Sequence, residues 1–155
     1  MADLVTRQGL YFEDYTIGDS VTSQGRTVTE ADIVNFAALS GDWNAIHVDA
    51  EYAKKGMFGE RIAHGMLGLS IATGLAARLG FIDETIIAFI GMDWKFRGAI
   101  RIGDTIAICA TVAEKKAAPR MGGGLVTFGV EVINQREERV QKGTWTMLVK
   151  MKGAA

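Results

Sequence analysis

The segment Gly41-Asp42-Trp43-Asn44-Ala45-Ile46-His47 carries one of only two histidines in the chain, with a carboxylate five residues before it. In a loop, that spacing can bring a carboxylate and an imidazole to opposite sides of one small molecule. An aspartate and a neutral histidine can both bind a water and move its protons, which is what general acid–base chemistry requires. The same residues allow a plainer assignment, in which Asp42 starts a turn, Asn44 bonds to the backbone and His47 is a satisfied, partly buried histidine. A second place is Ile62-Ala63-His64-Gly65-Met66. A loop would enter an apolar helix there, and the free backbone N–H groups and positive end of the helix dipole would favour a developing negative oxygen. Gly65 would let a ligand approach the backbone closely. Otherwise Gly65 only permits tight packing and His64 caps the helix.

Other charged or reactive residues say less. Lys54-Lys55 reads as a solvated face. Lys95, Arg97 and Arg101 lie along one extended segment and could meet phosphates, although solvation is the simpler reading. Lys115, Lys116 and Arg120 flank a loop and carry the same two readings. Cys109 sits in an alternating segment, where burial as a small apolar residue is expected. No Gly-x-Ser-x-Gly occurs, and Gly122-Gly123-Gly124 lacks the Lys-Ser/Thr of a phosphate loop, so it reads as a flexible hairpin end.

The chain has 155 residues and a mass of 16.7 kDa, the size of one domain. Hydrophobic residues make up 48% and charged residues 23%, which excludes disordered and low-complexity classes. Seventeen Lys+Arg against eighteen Asp+Glu give a formal charge of −1, so no nucleic-acid partner is expected. One cysteine cannot form an internal disulfide, and with two histidines it cannot build the usual Cys/His structural zinc site, so no metal is expected. Residues Met1 to Gly9 are polar and mixed in charge, unlike a secretory signal. The stretch Ile62 to Ala77 has no Asp, Glu, Lys or Arg, but its 16 residues and three glycines suit a buried helix better than a membrane span. A cytoplasmic protein without membrane association is the expectation.

The elements that must position these residues differ between the two halves. Tyr11 to Thr27 reads as an extended opening segment with a turn at Ile17-Gly18-Asp19. Thr29-Glu30-Ala31-Asp32 has the form of a capping box, and a helix should run from it to about Ser40, where Gly41 stops it. Gly41 to Arg61 is irregular, with Asp49 capping a short turn through Tyr52 and Ala53. His64 to Gly80 reads as a helix that is apolar nearly all round, buried on most faces, with small residues implying close approach of other backbone. Strands are expected at Ile86–Trp94, 105–112, 126–132 and 144–151, with a hairpin turn at 134–139 and a longer loop at 117–124. A buried helix followed by antiparallel strands predicts an α+β fold in which the sheet curls around the helix. Its edge strands could pair between two copies.

Two segments together, Ser40-Gly41-Asp42-Trp43-Asn44-Ala45-Ile46-His47-Val48-Asp49 and Phe58-Gly59-Glu60-Arg61-Ile62-Ala63-His64-Gly65-Met66-Leu67, resemble the hydratase signature of the MaoC-like dehydratases. That family includes the (R)-specific enoyl-CoA hydratases. Tyr11 to Gly18 looks like the family's opening strand, Thr29 to Ile33 like its first helix, and Phe96 to Thr105 like its strand and turn after the central helix. The resemblance spans roughly residues 11 to 150, within one domain covering residues 1–155. Ala45 and Ala99 stand where the family commonly has proline, which changes loop entropy without removing a chemical group.

The resemblance implies a single hot-dog fold with a central helix from about His64, and a homodimer or dimer-based higher oligomer with its site near the interface. Carried over by position, Asp42 and His47 form the catalytic pair, holding a water that adds to a trans-2-enoyl thioester to give an (R)-3-hydroxyacyl thioester. Gly65 offers its backbone N–H to the thioester oxygen, and Asn44 supports the pair. No cofactor is implied beyond coenzyme A as part of the acyl-CoA substrate. Two alternatives stay open, a hot-dog thioesterase and a non-catalytic acyl-thioester-binding protein of the same fold. Retention of both Asp42 and His47 argues against the second.

Overall fold

The computed structural model describes residues 8–153, so most of the Met1–Gly9 segment lies outside it. Four helices precede the long strands: α1 (Glu30–Ser40), α2 (Ala45–Val48), α3 (Ala50–Lys54) and α4 (Gly65–Ala77). The strands are β1 (Ser20–Thr22), β2 (Arg26–Thr27), β3 (Ile86–Phe96), β4 (Thr105–Ala118), β5 (Gly123–Asn134) and β6 (Arg139–Val149). They form one antiparallel sheet in the order β1-β4-β5-β6-β3, with β2 also on the free side of β4. The α+β arrangement expected from the sequence is present: Leu67, Leu69, Ala72, Leu75 and Ala76 of α4 share one core with the inward residues of the sheet.

Period-two patterning explains which face is inward. In β4, Ile106, Ile108, Ala110 and Val112 are buried, while Ala107, Cys109 and Thr111 are not. Val126, Phe128, Val130 and Val132 continue the buried face in β5. Val112 stands opposite Phe128 and Phe128 opposite Trp145, giving a cross-strand row under the helix. Each such large side chain contributes about 1.5–3 kcal/mol by leaving water. The same alternation corrects the expectation for Cys109, which is only half-buried because its parity places it on the outer face.

Three further expectations change. The 117–124 loop is a tight hairpin end: β4 runs to Ala118, β5 resumes at Gly123, and Gly122 turns the chain with φ of 76°. The opening strand contains instead a short 3-10 turn at Phe12–Asp14, because the Asp14 carboxylate accepts from the Tyr11 N–H at 3.0 Å and closes the chain locally. Helix α4 ends at Ala77 and is buried on one side only, with Met66, Ser70, Thr73, Gly74 and Ala77 exposed in the single chain. Its small residues admit side chains rather than backbone: a Cβ on Gly68 would lie 2.4 Å from the Gln141 amide and 2.6 Å from Ile100.

Strand β6 begins at Arg139, earlier than its apolar part, because the Asn134–Glu138 turn feeds directly into pairing with β5. Strand β3 is the sheet's other edge. Ile87, Phe89, Ile90, Met92 and Phe96 are all at least 40% exposed on it, an apolar strip with no strand beyond it among the described residues. No helix among the described residues is long and apolar enough to cross a membrane.

Candidate active site

The loop that carries Asp42 is fixed at both ends by local chemistry. Thr29 and Asp32 form the capping box that starts α1, and Gly41 ends it in the left-handed region with its N–H on the Ala37 carbonyl at 2.8 Å. The Asp42 Oδ1 accepts from the Asn44 N–H at 3.2 Å, and the Asn44 Oδ1 accepts from the Ile46 N–H at 3.3 Å. Asn44 is therefore the N-cap of α2, the one-turn helix that holds His47. The plainer assignment holds for these residues: Asp42 accepts a local turn bond, Asn44 caps α2, and His47 is a buried histidine with a hydrogen-bond partner.

His47 is buried, and its Nδ1–H donates to the Ile62 carbonyl at 2.7 Å. That bond fixes the tautomer, so Nε2 carries a lone pair. His64 is also buried, and its Nε2–H donates to the Asp42 carbonyl at 2.9 Å. The two imidazoles stack with centroids 3.8 Å apart and planes 26° apart, and Phe36 covers His64 from another side. One carboxylate oxygen of Asp42 and one ring nitrogen from each histidine lie within 4.8 Å of one another. The structure thus brings Asp42 and His47 together within reach of one bridging water. These three residues are also, among the described residues, the group whose spacing would suit a cation.

His64 stands at the N-cap position of α4, as the plainer reading has it. It makes no side-chain cap bond at α4. Instead it ties the Asp42 backbone to the ring of His47, while its Nδ1 is buried without a partner among the described residues. Gln141 was missed altogether. Its side chain donates to the Gly65 carbonyl at 2.9 Å and accepts from Trp94 Nε1 at 3.1 Å, locking the amide and the first turn of α4. A lone glutamine beside Val140 and Lys142 was the only signal available.

Burial pulls the pKa of His47 below the ordinary histidine value. The Ile62 carbonyl and the Asp42 charge oppose that shift, and the neighbouring His64 adds to it. The imidazole is therefore neutral at pH 7. In an NMR titration the His47 ring should titrate below about 6.5; a midpoint at or above that value would mean a ring charged close to neutrality. The folded chain binds this proton less readily than the unfolded chain. Its stability contribution is thus complete above the unfolded value and declines as pH falls below it toward the lowered one.

Gly65 opens α4, so its N–H has no acceptor within the helix. It borders a cleft of about 340 Å³ lined by Met57, Phe58, Ile62, Phe96, Ile100 and Gln141. A Cβ on Gly65 would meet the Phe96 ring at 2.8 Å, so only glycine leaves both the ring and the N–H in place. The cleft wall at Ile62, Ala63 and Gly65 is the same backbone that receives the His47 hydrogen bond and carries His64. Lys95 separates from its sequence neighbours. It faces a cleft on the outer side of the sheet, whereas Arg97 borders the cleft at Gly65.

The MaoC-like domain family matches residues 13–135. Protein MaoC of Klebsiella aerogenes is 43% identical over 106 residues, 68% of this chain but 31% of MaoC, so the match covers under a third of that protein. An (R)-specific enoyl-CoA hydratase from Rhodospirillum rubrum is 42% identical over 103 residues, covering 66% of this chain and 69% of the hydratase. The crystal structure of a monoamine oxidase regulatory protein from Archaeoglobus superposes with a TM-score of 0.88 at 43% identity, over 94% of this chain and 97% of that one. A MaoC-like dehydratase from Rhodospirillum rubrum gives 0.82 at 29% identity, over 93% and 99%. The antiparallel sheet on α4 is the hot-dog fold, and the chain belongs to the MaoC-like dehydratase family.

Proposed function

We propose that the protein hydrates a trans-2-enoyl-CoA reversibly to an (R)-3-hydroxyacyl-CoA. The observation that carries this reading is a neutral His47, its Nδ1–H spent on the Ile62 carbonyl, with a ring nitrogen within 4.8 Å of a carboxylate oxygen of Asp42. A water held by both has its oxygen free for the β-carbon. As the C–O bond forms, the pair takes up one proton from the water and negative charge moves to the thioester oxygen. The Gly65 N–H bonds to that oxygen more strongly as its charge grows, which lowers the barrier selectively. The pair then returns its proton to the α-carbon. Relatives bearing the names (R)-specific enoyl-CoA hydratase and 3-hydroxybutyryl-CoA dehydratase support the reaction class.

The test is loss of the conjugated enoyl absorbance of crotonyl-CoA, with a thiol reagent in parallel. Loss without free thiol is the expected result. Thiol release would instead mean a thioesterase, and binding without turnover would mean the non-catalytic alternative.

The working unit we propose is a homodimer joined along β3. Its unpaired N–H and C=O groups and its apolar strip are suited to a second copy of the same strand. Met92→Lys, at a position 46% exposed in the single chain, should convert a dimer to a monomer in analytical ultracentrifugation. A monomeric parent protein, or a fully dimeric variant, would refute this assembly.

A further inference from the structure

Helix α4 starts with little local support. The His64 ring, at its N-cap position, is turned to the Asp42 carbonyl instead of capping the helix. Two of the first four helical residues, Gly65 and Gly68, are glycines. Each costs a helix about 1 kcal/mol relative to alanine, because its backbone has more freedom to lose. Held only by its own residues, this turn would fray, and the Gly65 N–H would swing with it.

Support comes from the sheet. Gln141 of β6 is 1% exposed and reaches the Gly65 carbonyl at 2.9 Å. Its amide fits only one way round. Trp94 Nε1 can only donate and the Gly65 carbonyl can only accept, so Oε1 faces the indole and Nε2 faces the helix. Gly68 makes room for that amide, since a Cβ there would lie 2.4 Å from Nε2. Trp94 is fixed in turn by stacking on Trp145, with centroids 5.6 Å apart. Phe96, two residues along β3 from Trp94, packs where a Gly65 Cβ would stand.

We propose that Gln141 is a positioning residue for the reaction, holding the Gly65 peptide so that its N–H points at the thioester oxygen, with Trp94 orienting Gln141. The inference rests on the hydratase reading above. Both ends of the amide are spent on protein atoms, so Gln141 acts on the substrate only through Gly65. A donor already aimed at the place where charge develops needs no rearrangement as the barrier is crossed. A slackened donor still meets the ground-state oxygen but loses the gain in strength that follows the charge. Removal of Gln141 should therefore act on kcat and leave KM nearly alone. A glutamine that only filled space would be replaceable by an apolar side chain of similar length.

Gln141→Met keeps the length and removes both polar ends. With crotonyl-CoA it should lower kcat about ten-fold and leave KM within about two-fold of the parent value. Trp94→Phe keeps a ring against Trp145 and removes the donor that orients the amide, so it should cause a smaller loss of kcat. The double variant should lose about as much as Gln141→Met alone, because the two residues act in series. The spectroscopic signature uses 2,4-hexadienoyl-CoA bound to Asp42→Asn, a background that does not turn it over. Its absorbance should move to longer wavelength on binding as the Gly65 N–H polarises the carbonyl. Adding Gln141→Met should remove most of that red shift while affinity stays within about two-fold. A folded Gln141→Met variant with kcat within about two-fold of the parent, a loss confined to KM, or an undiminished red shift would overturn the role. Where circular dichroism shows that Gln141→Met does not fold, Trp94→Phe decides, and unchanged kcat and red shift there overturn it. If the parent hydrates no enoyl thioester, the hydratase reading fails instead. A red shift that depends on Gln141 would then still support the positioning role, and its absence with Gln141 intact would overturn it.

Discussion

Asp42→Asn and His47→Ala are each expected to lower the turnover of crotonyl-CoA by about 10²–10⁴-fold, the usual share of a positioned acid–base group. Asparagine retains the size of Asp42, and one amide oxygen can still accept from the Asn44 N–H, so the loop should persist. What is lost is the charge that orients the water and the capacity to hold its proton. Alanine at 47 removes the Nε2 lone pair and also unstacks His64, so it should cost some stability as well. The double variant should be scarcely worse than either single one, because the two residues act on one water. Circular dichroism must confirm native folding in each. A folded variant of either kind with near-normal turnover would overturn the assigned roles.

Gly143→Ala should produce the largest loss of stability. A Cβ there would lie 1.9 Å from the Asp93 carbonyl oxygen and 2.8 Å from the Trp94 ring. Gly143 faces Trp94 in the β3–β6 register, so the clash is with backbone in a paired strand and no side-chain rotation relieves it. The strands must part. Overpacking typically costs about 1–3 kcal/mol and can cost more, which for a chain of this size lowers the melting temperature by roughly 3–10 °C. Activity should suffer too, because the Trp94–Gln141 bond that locks the first turn of α4 spans the same pair of strands. A melting temperature within about 2 °C of the parent's would show that β3 yields easily. By contrast Gly74, with open space around its missing Cβ, should tolerate alanine.

Some of the molecule was legible locally. The Thr29/Asp32 box and Gly41 mark both ends of α1 because caps satisfy backbone groups within a few residues. The parity of Ile106, Ile108, Ala110 and Val112 identifies a strand with one buried face. Asp42 and His47 were legible as a pair because one short segment holds both. Arg97 and Arg101 were legible only as charges along one segment, because their meeting with Arg136 and Arg139 at one cleft depends on the closed sheet.

By itself, then, the sequence determined the chemical types at the site, the caps that bracket it, the alternation that orients the sheet and the family to which the chain belongs. The tertiary structure alone decided the state of His47. Its tautomer depends on the Ile62 carbonyl, and its low pKa depends on burial beside His64. The fold also decided that the His64 side chain tethers the loop rather than capping α4, that Gln141 secures Gly65 from 76 residues away, and that four arginines share one cleft. The division has a simple physical cause. Capping and alternation act over a few bonds and leave a pattern in the chain, whereas desolvation, stacking and converging charge depend on neighbours that only the closed sheet brings together.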